Sequence, residues 1–245
     1  MHIVYRTLWL APIGFLAIIA IMMVLRGLHR RLPFFFSYAT FVVLSQIPLV
    51  VMRNRYPQSY EAGYWIQDFI SWGLGFLVAY EIYASLLNEY PALQKLGTYL
   101  FWVMGIVLVI IALWAAFQEP GSDKSRLVDA MYRLERSVRI VEVGLLLALF
   151  VFASFFGLSW KNYLYGIALG FAIFLSMQLA VVAIRAYFES KLEELLAVLQ
   201  LVSYNLGVWV WTYYVTKRWR AEDLRLLPKT QLAEWNETLQ ELLHR

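Results

Sequence analysis

Seven long apolar stretches, separated by short polar segments, make up most of the chain. A helix needs about 20 mostly apolar residues to cross roughly 30 Å of hydrocarbon, and each stretch reaches or approaches that length. The pattern predicts an all-α, polytopic membrane bundle of seven transmembrane helices, with residues 1–220 forming one transmembrane domain. The seven predicted spans cover residues 8–25, 34–52, 62–86, 98–117, 137–158, 163–184 and 195–215.

The composition agrees with this interpretation and excludes several other classes of protein. Hydrophobic residues make up 61% of the chain, charged residues only 16%, and the mean hydropathy is +0.60. Soluble domains carry about a quarter charged residues. These values exclude a disordered protein and a coiled coil, and they predict a lipid bilayer, not a nucleic acid, as the main partner.

The last 25 residues are polar and differ from the spans. Pro228 interrupts this region, and Thr230 is a suitable N-cap for a helix over residues 231–243. In that helix leucines and Trp235 share one face while glutamates lie elsewhere. We therefore predict a C-terminal amphipathic tail, residues 221–245, that lies on the membrane or docks on a membrane-complex or cytoplasmic partner.

Basic residues at the span ends favour one orientation of the bundle. Lys and Arg are almost equally divided between the two sides. Two segments next to span ends decide which side is cytoplasmic. They are the first loop, with Arg26, Arg30 and Arg31, and the flank after the last span, with Lys217 and Arg218. Basic loops stay in the cytoplasm and the first helix usually dominates. We predict a cell (inner or plasma) membrane protein with its N-terminus outside and its C-terminus in the cytoplasm.

A set of polar and ionisable residues lies within the spans, where such groups usually face the interior of a bundle. On the fifth span Glu135, Arg139 and Glu142 are spaced by four and three residues, which places them on one helical face. In the predicted orientation the whole set lies at a similar depth in the outer half. It predicts an outward-facing pocket for a small or lipidic ligand, or else a structural network that holds the third, fifth, sixth and seventh spans together. The candidate ligand-binding residues are Tyr64, Asp68, Glu135, Arg136, Arg139, Glu142, Gln178, Arg185, Gln200 and Tyr204.

Residue types that carry common chemistry are missing from the spans. The chain has no cysteine, and its three histidines, His2, His29 and His244, lie outside the apolar core. Haem and zinc sites generally need such ligands. Every lysine lies at a span end, in a loop or in the tail, so the bundle interior has no lysine that could form a Schiff base with retinal. We predict no cofactor, no metal site and no catalytic residues, and an enzyme is the least favoured class.

Three further positions carry structural expectations. Glu81, near the inner end of the third span, is expected to reach the surface as a snorkelling carboxylate or to pair with a basic residue. Gly166 and Gly170 form a GxxxG pair that permits close helix contact. Trp72 and Trp209 lie deep within their spans, and we expect both to pack in the core.

Four segments carry a resemblance to a family. They are Tyr80-Glu81-Ile82-Tyr83, Tyr90-Pro91-Ala92-Leu93, Leu134-Glu135-Arg136-Ser137-Val138-Arg139 and Gly157-Leu158-Ser159-Trp160. With these segments the chain resembles an uncharacterised family of bacterial seven-helix membrane proteins, which implies the fold but no activity. In layout alone it is also similar to the seven-helix input modules of bacterial sensor kinases.

Together these observations favour a receptor or sensor-like protein, or an accessory protein, with a ligand pocket in its outer half. The alternatives are a structural subunit of a larger membrane complex and a small-solute transporter. A transporter would need a route from Asp68 towards Glu81, and the polar residues of the inner halves are sparse.

Overall fold

A computed structural model describes most of the chain. The side chains at 2–7, 9, 125–133, 152–155, 162, 182–183, 185 and 193 lie outside that description although their backbone is included. The described residues are 2–88, 91, 94–95, 98–99, 101–103, 105–107, 109–110, 125–155, 162–185 and 193–217. The predicted tail at 221–245, the turn at 157–161 and the last part of the fourth predicted span therefore lie outside the described residues.

The described part of the chain is helical and contains no strand. A short 3₁₀ turn, Leu28–Arg30, connects the first two helices. We call the described helical residues at 98–99, 101–103, 105–107 and 109–110 α4. The other helices are α1 (His2–Leu25), α2 (Pro33–Arg55), α3 (Pro57–Leu86), α5 (Ser125–Phe155), α6 (Asn162–Arg185) and α7 (Glu193–Thr216).

Four of these helices are long and apolar enough to cross a membrane, which indicates a membrane protein. The apolar part of α1, Leu10–Leu25, is shorter. The helix α5 carries four charged residues between positions 135 and 142, which lowers its hydropathy. The seven-span count therefore stays a prediction. The four candidate spans are Pro33–Arg55, Pro57–Leu86, Tyr163–Val181 and Glu194–Thr216.

The outer surface of the described bundle is apolar. Ile21, Ile47, Phe69 and Val151, on four different helices, are between 59% and 67% exposed. A bundle that faces water would carry polar residues at such positions. These side chains instead suit contact with lipid.

Six of the described helices form a closed ring. Around the ring α1 packs against α2, α2 against α3, α3 against α5, α5 against α6, α6 against α7, and α7 against α1. An aromatic cluster fills the interior: the ring centroid of Trp211 lies 4.7 Å from that of Phe171 and 5.6 Å from that of Phe35. This buried centre holds the helices at fixed positions around the site described below.

The closest helix contact is a glycine seam between α6 and α7. A Cβ atom on Gly170 would lie 2.9 Å from the carbonyl oxygen of Gly207 and would collide with the indole of Trp211, and a Cβ on Gly166 would collide with Tyr214. The indole N–H of Trp211 donates a 3.0 Å hydrogen bond to the carbonyl of Ile167. The close contact that the GxxxG pair predicts is therefore present.

Two charged side chains cap neighbouring helices at one end of the bundle. Arg26 donates from Nη1 to the carbonyls of Val215 (2.6 Å) and Lys217 (2.8 Å), and from Nη2 to the carbonyl of Thr216. Cations are favourable at helix C-termini, where the last carbonyls have no partner in the helix. Arg26, Glu81 and the helix ends that they cap form one part of the bundle. We refer to this part as the capped end.

Glu81 is the second cap, and the surface position expected for it is wrong. The residue is 6% exposed, and its carboxylate accepts hydrogen bonds from the backbone N–H groups of Phe34 (2.8 Å) and Phe35 (2.9 Å). The helix α2 starts at Pro33, and its N-cap residue Leu32 makes no side-chain cap. The first N–H groups of α2 therefore need an acceptor from another helix, and Glu81 supplies it.

The two tryptophans expected in the core have different positions. Trp72 is 6% exposed, as expected, whereas Trp209 is 52% exposed and meets Phe15 edge to face on the outer surface. Depth along a span does not determine which face of the helix a residue occupies. The core position expected for Trp209 is therefore wrong.

Candidate functional site

A polar cavity of about 370 Å³ lies among α2, α3, α5, α6 and α7. It extends from the middle of the bundle towards the end opposite the capped end. Tyr64, which is 41% exposed, lines this cavity, so the cavity reaches the protein surface there. Eight of the ten candidate residues lie on its wall: Tyr64, Asp68, Glu135, Arg139, Glu142, Gln178, Gln200 and Tyr204.

Arg139 forms ion pairs with two carboxylates on its own helix. Its Nη1 atom lies 3.0 Å from Oε2 of Glu142, and its Nη2 atom lies 3.9 Å from Oε1 of Glu135. Arg139 is 8% exposed and Glu142 is 5% exposed. The spacing of three and four residues along α5 brings the three side chains together on one face.

Aromatic rings also hold the guanidinium of Arg139. Its Cζ atom lies 5.5 Å from the ring centroid of Phe174 on α6 and 6.0 Å from that of Trp72 on α3. Both distances fall within the range of cation–π contacts. The charge is therefore placed at a defined position on the cavity wall.

Neighbouring polar side chains form other parts of the wall. Tyr64 and Asp68 lie one helical turn apart on α3. Tyr38 of α2 and Tyr204 of α7 also line the cavity. Gln200 donates from Nε2 to Oε1 of Gln178 at 2.6 Å, between α7 and α6. Polar groups from α2, α3, α6 and α7 thus converge on one space.

Of the two remaining candidate residues, one is not brought to the cavity. Arg136 is exposed and is not part of the wall. It follows Glu135 directly, and one residue turns a helix by about 100°, so the two side chains cannot share a face. The side chain of Arg185 lies outside the described residues.

Several residues on the wall were missed from the sequence. Tyr38 and Gln46 come from α2, and Gln67 lies between the candidates of α3. Tyr38, Val42 and Gln46 follow each other at four-residue intervals on a mostly apolar span. This helical spacing of two polar residues was a usable signal.

Two buried polar atoms on the wall have no hydrogen-bond partner among the described residues. They are Nε of Arg139 and Oε1 of Gln67. Nearly all buried polar atoms in native proteins have a partner in protein or water. The wall therefore offers a donor and an acceptor beyond those that the described side chains satisfy.

Metal binding has no support in the described part of the chain, where no group of three or more His, Asp or Glu side chains is arranged to hold an ion. The polar cavity is therefore assigned from its charges, its hydrogen-bonding groups and its shape. Comparisons of the sequence and structure with protein-family models, curated proteins and solved structures found no match.

Proposed function

We propose that this protein is a membrane receptor, sensor-like protein or accessory protein whose polar cavity binds a small or lipidic ligand. The observation that carries the proposal is the buried Arg139 with its two carboxylates on the wall of a cavity among five helices. Ionisable groups at membrane depth are costly and usually functional. Concave sites with a few convergent polar groups are the usual form of ligand pockets.

The ion pairs of α5 argue against a purely structural role for these charges. Arg139 pairs with Glu135 and Glu142 of its own helix, so the ion pairs do not connect α5 to a neighbour. The glutamine pair Gln178–Gln200 does connect two helices and serves packing as well. A network that only held helices together would place its strongest interactions between them, as Arg26 and Glu81 do.

The described contacts between Asp68 and Glu81 argue against the route that a transporter needs. Along α3, Val78 lies between Gly75 on the cavity wall and Glu81, and Val78 is fully buried. Glu81 itself is engaged with the start of α2. These contacts favour a binding cavity over a channel between the two ends.

The proposal includes the seven-span bundle and the orientation with the N-terminus outside. In that orientation the cavity faces outward, and ligand binding moves helices whose motion reaches the cytoplasmic tail at 221–245. The tail would then act on a membrane-complex or cytoplasmic partner. These parts follow from the span count and the basic loops.

The test compares ligand-induced thermal shifts of the full chain and two arginine variants. The probes are a panel of soluble amines, amino acids and carboxylates together with a polar lipid extract. We expect at least one probe to raise Tm in the wild type and in Arg136→Ala but not in Arg139→Ala. Arg136 is the matched control, because it removes the same charge from the exposed face of the same helix.

Size-exclusion profiles in detergent must show that both variants fold. If no probe gives a shift that depends on Arg139, the polar cavity is not a ligand site and the proposal is wrong. A ligand shift that survives in Arg139→Ala would contradict it equally.

A further inference from the structure

A second, apolar cavity meets the polar cavity at Glu142. This second space, which we call the apolar groove, has a volume of about 540 Å³ and is lined by side chains of α3, α4 and α5, among them Trp72, Ile106 and Val138. Glu142 lines both spaces. A Cβ atom on Gly75 would lie 2.8 Å from Oε1 of Glu142, so glycine at this position lets the carboxylate lie against α3.

The apolar groove reaches the surface that faces lipid. Ile106, Val109 and Ile110 of α4 line it, and they are between 47% and 59% exposed. A hydrocarbon chain can therefore enter the groove from the side, without passing through water. The groove and the polar cavity each fall within the usual volume range of ligand pockets.

The charges on the polar wall favour a cation. The described charged residues there are Asp68, Glu135, Glu142 and Arg139, so carboxylates outnumber guanidinium groups. A cleft lined mainly by one sign of charge attracts the opposite charge. The rings of Phe171 and Phe174, which also line the wall, suit an ammonium group, since aromatic faces attract cations.

An unpartnered donor lies close to where the two spaces join. Trp72 is 6% exposed and lines the apolar groove, yet its Nε1 atom has no hydrogen-bond partner among the described residues. Its ring lies 6.0 Å from Cζ of Arg139. An indole N–H only donates, so it suits an oxygen atom placed between a charged head and an apolar chain.

We propose that the cavity binds an amphiphile with an ammonium headgroup and a hydrocarbon chain. The headgroup lies in the polar cavity beside Asp68 and Glu142, and the chain lies in the apolar groove. This inference rests on the proposed function and names its ligand class. The chain exchanges one hydrocarbon environment for another, so the headgroup supplies the selectivity.

The experiment measures binding of four lipid probes to the full chain in uncharged maltoside micelles by tryptophan fluorescence and thermal shift. Hexadecylamine and hexadecanol share one chain and differ in charge. Comparison of phosphatidylethanolamine with phosphatidylglycerol tests whether a phospholipid supplies the ammonium group. We expect hexadecylamine to bind at least about tenfold more tightly than hexadecanol, the effect of one charged hydrogen bond. Preference for phosphatidylethanolamine over phosphatidylglycerol would support the same headgroup chemistry in a phospholipid.

Two variants test the two halves of the ligand separately. Asp68→Asn should weaken hexadecylamine binding about tenfold through loss of a charged acceptor, and Arg136→Ala should leave it unchanged. Ile106→Trp should block the apolar groove and weaken hexadecylamine binding. Ile21→Trp is its control, because Ile21 is equally exposed but lies outside the groove.

Equal binding of hexadecylamine and hexadecanol would overturn the inference, and so would binding that Ile106→Trp does not change. If Asp68→Asn fails to fold, the binding result for Ile106→Trp still tests the inference, because that substitution is made at an exposed position. The proposed function fails by a different result, namely that no probe of the wider panel gives a shift dependent on Arg139. A soluble ligand that depends on Arg139 but not on Ile106 would overturn the amphiphile and leave the proposed function intact.

Discussion

The capped end and the polar cavity both contain buried charges, but the charges are used differently. At the capped end Glu81 and Arg26 each reach a different helix and bind its unpaired backbone groups. In the cavity Arg139 binds carboxylates of its own helix, and its Nε atom has no described partner. Charges that connect helices stabilise the bundle, whereas charges that face a cavity are available to a ligand.

The comparison predicts that charge removal affects stability mainly at the capped end. A buried charge whose partners are backbone groups of another helix leaves those groups unpaired when it is removed. A charge pair within one helix can be replaced as a unit with little loss of stability, because both desolvated charges are removed together. The predictions below test this difference from the largest expected effect to the smallest.

Glu81→Ala should cause the largest loss. It leaves the N–H groups of Phe34 and Phe35 without this acceptor, and loss of two hydrogen bonds to a charged group costs about 3–6 kcal/mol. Thermal and denaturant unfolding in detergent measures this cost. Glu61→Ala is the control, because Glu61 is an exposed residue of the same helix. Equal stability of the two variants would show that Glu81 is not a helix cap.

Gly170→Ala should cause the next largest loss of stability. The added Cβ would lie 2.9 Å from the carbonyl of Gly207 and against the indole of Trp211, so α6 and α7 must separate. Overpacking of this kind costs about 1–3 kcal/mol. Gly144→Ala is the matched control, because nothing lies within 4 Å of a Cβ at Gly144. A Tm for Gly170→Ala as high as that of Gly144→Ala would contradict the close seam.

Arg26→Ala should have a smaller effect. Its guanidinium binds the last carbonyls of α7, but the site is partly exposed, so water replaces part of the interaction. Charge at a helix C-terminus contributes about 0.3–1 kcal/mol. Hydrogen exchange at Val215 and Lys217 should increase in this variant while the middle of α7 is unchanged. Arg30→Ala, at an exposed position of the same loop, should leave the exchange as it is.

The helical architecture could be predicted from the sequence because long apolar runs determine it. The four candidate spans α2, α3, α6 and α7 correspond to predicted apolar stretches, and the glycine pair predicted the α6–α7 seam. The spacing of Glu135, Arg139 and Glu142 placed them on one face, since the helical period is fixed by backbone geometry. Local periodicity was enough for these features.

The errors came from contacts between distant segments. Glu81 caps α2, which starts 48 residues earlier in the chain at Pro33. A local sequence pattern does not predict a cap that another helix supplies. Trp209 lies as deep along its span as residues of the core do, but its side chain faces outward. Tyr38 joins the cavity because α2 packs beside α3 in the ring. Helix neighbours and rotations are tertiary properties, and one sequence does not specify them locally.

The smallest expected change in stability separates the two regions most sharply. Arg139→Met with Glu142→Gln replaces the buried ion pair of α5 by uncharged side chains of similar size. Replacement of a whole buried pair is often neutral. Methionine keeps an apolar contact with Phe174 and Trp72, and the remaining carboxylate of Glu135 is partly exposed, so we expect the unfolding free energy to change by less than about 1 kcal/mol. Arg139→Ala alone should cost more, since it leaves Glu142 buried without its partner.

Ligand binding should respond in the opposite way. The double variant should lose every probe-induced thermal shift that wild type shows, whereas Glu81→Ala, provided that it still folds, should retain it. A double variant that is as unstable as Glu81→Ala would show that the α5 charges hold the bundle together. In that case the cavity wall would be structural, and the distinction between the two regions would be lost.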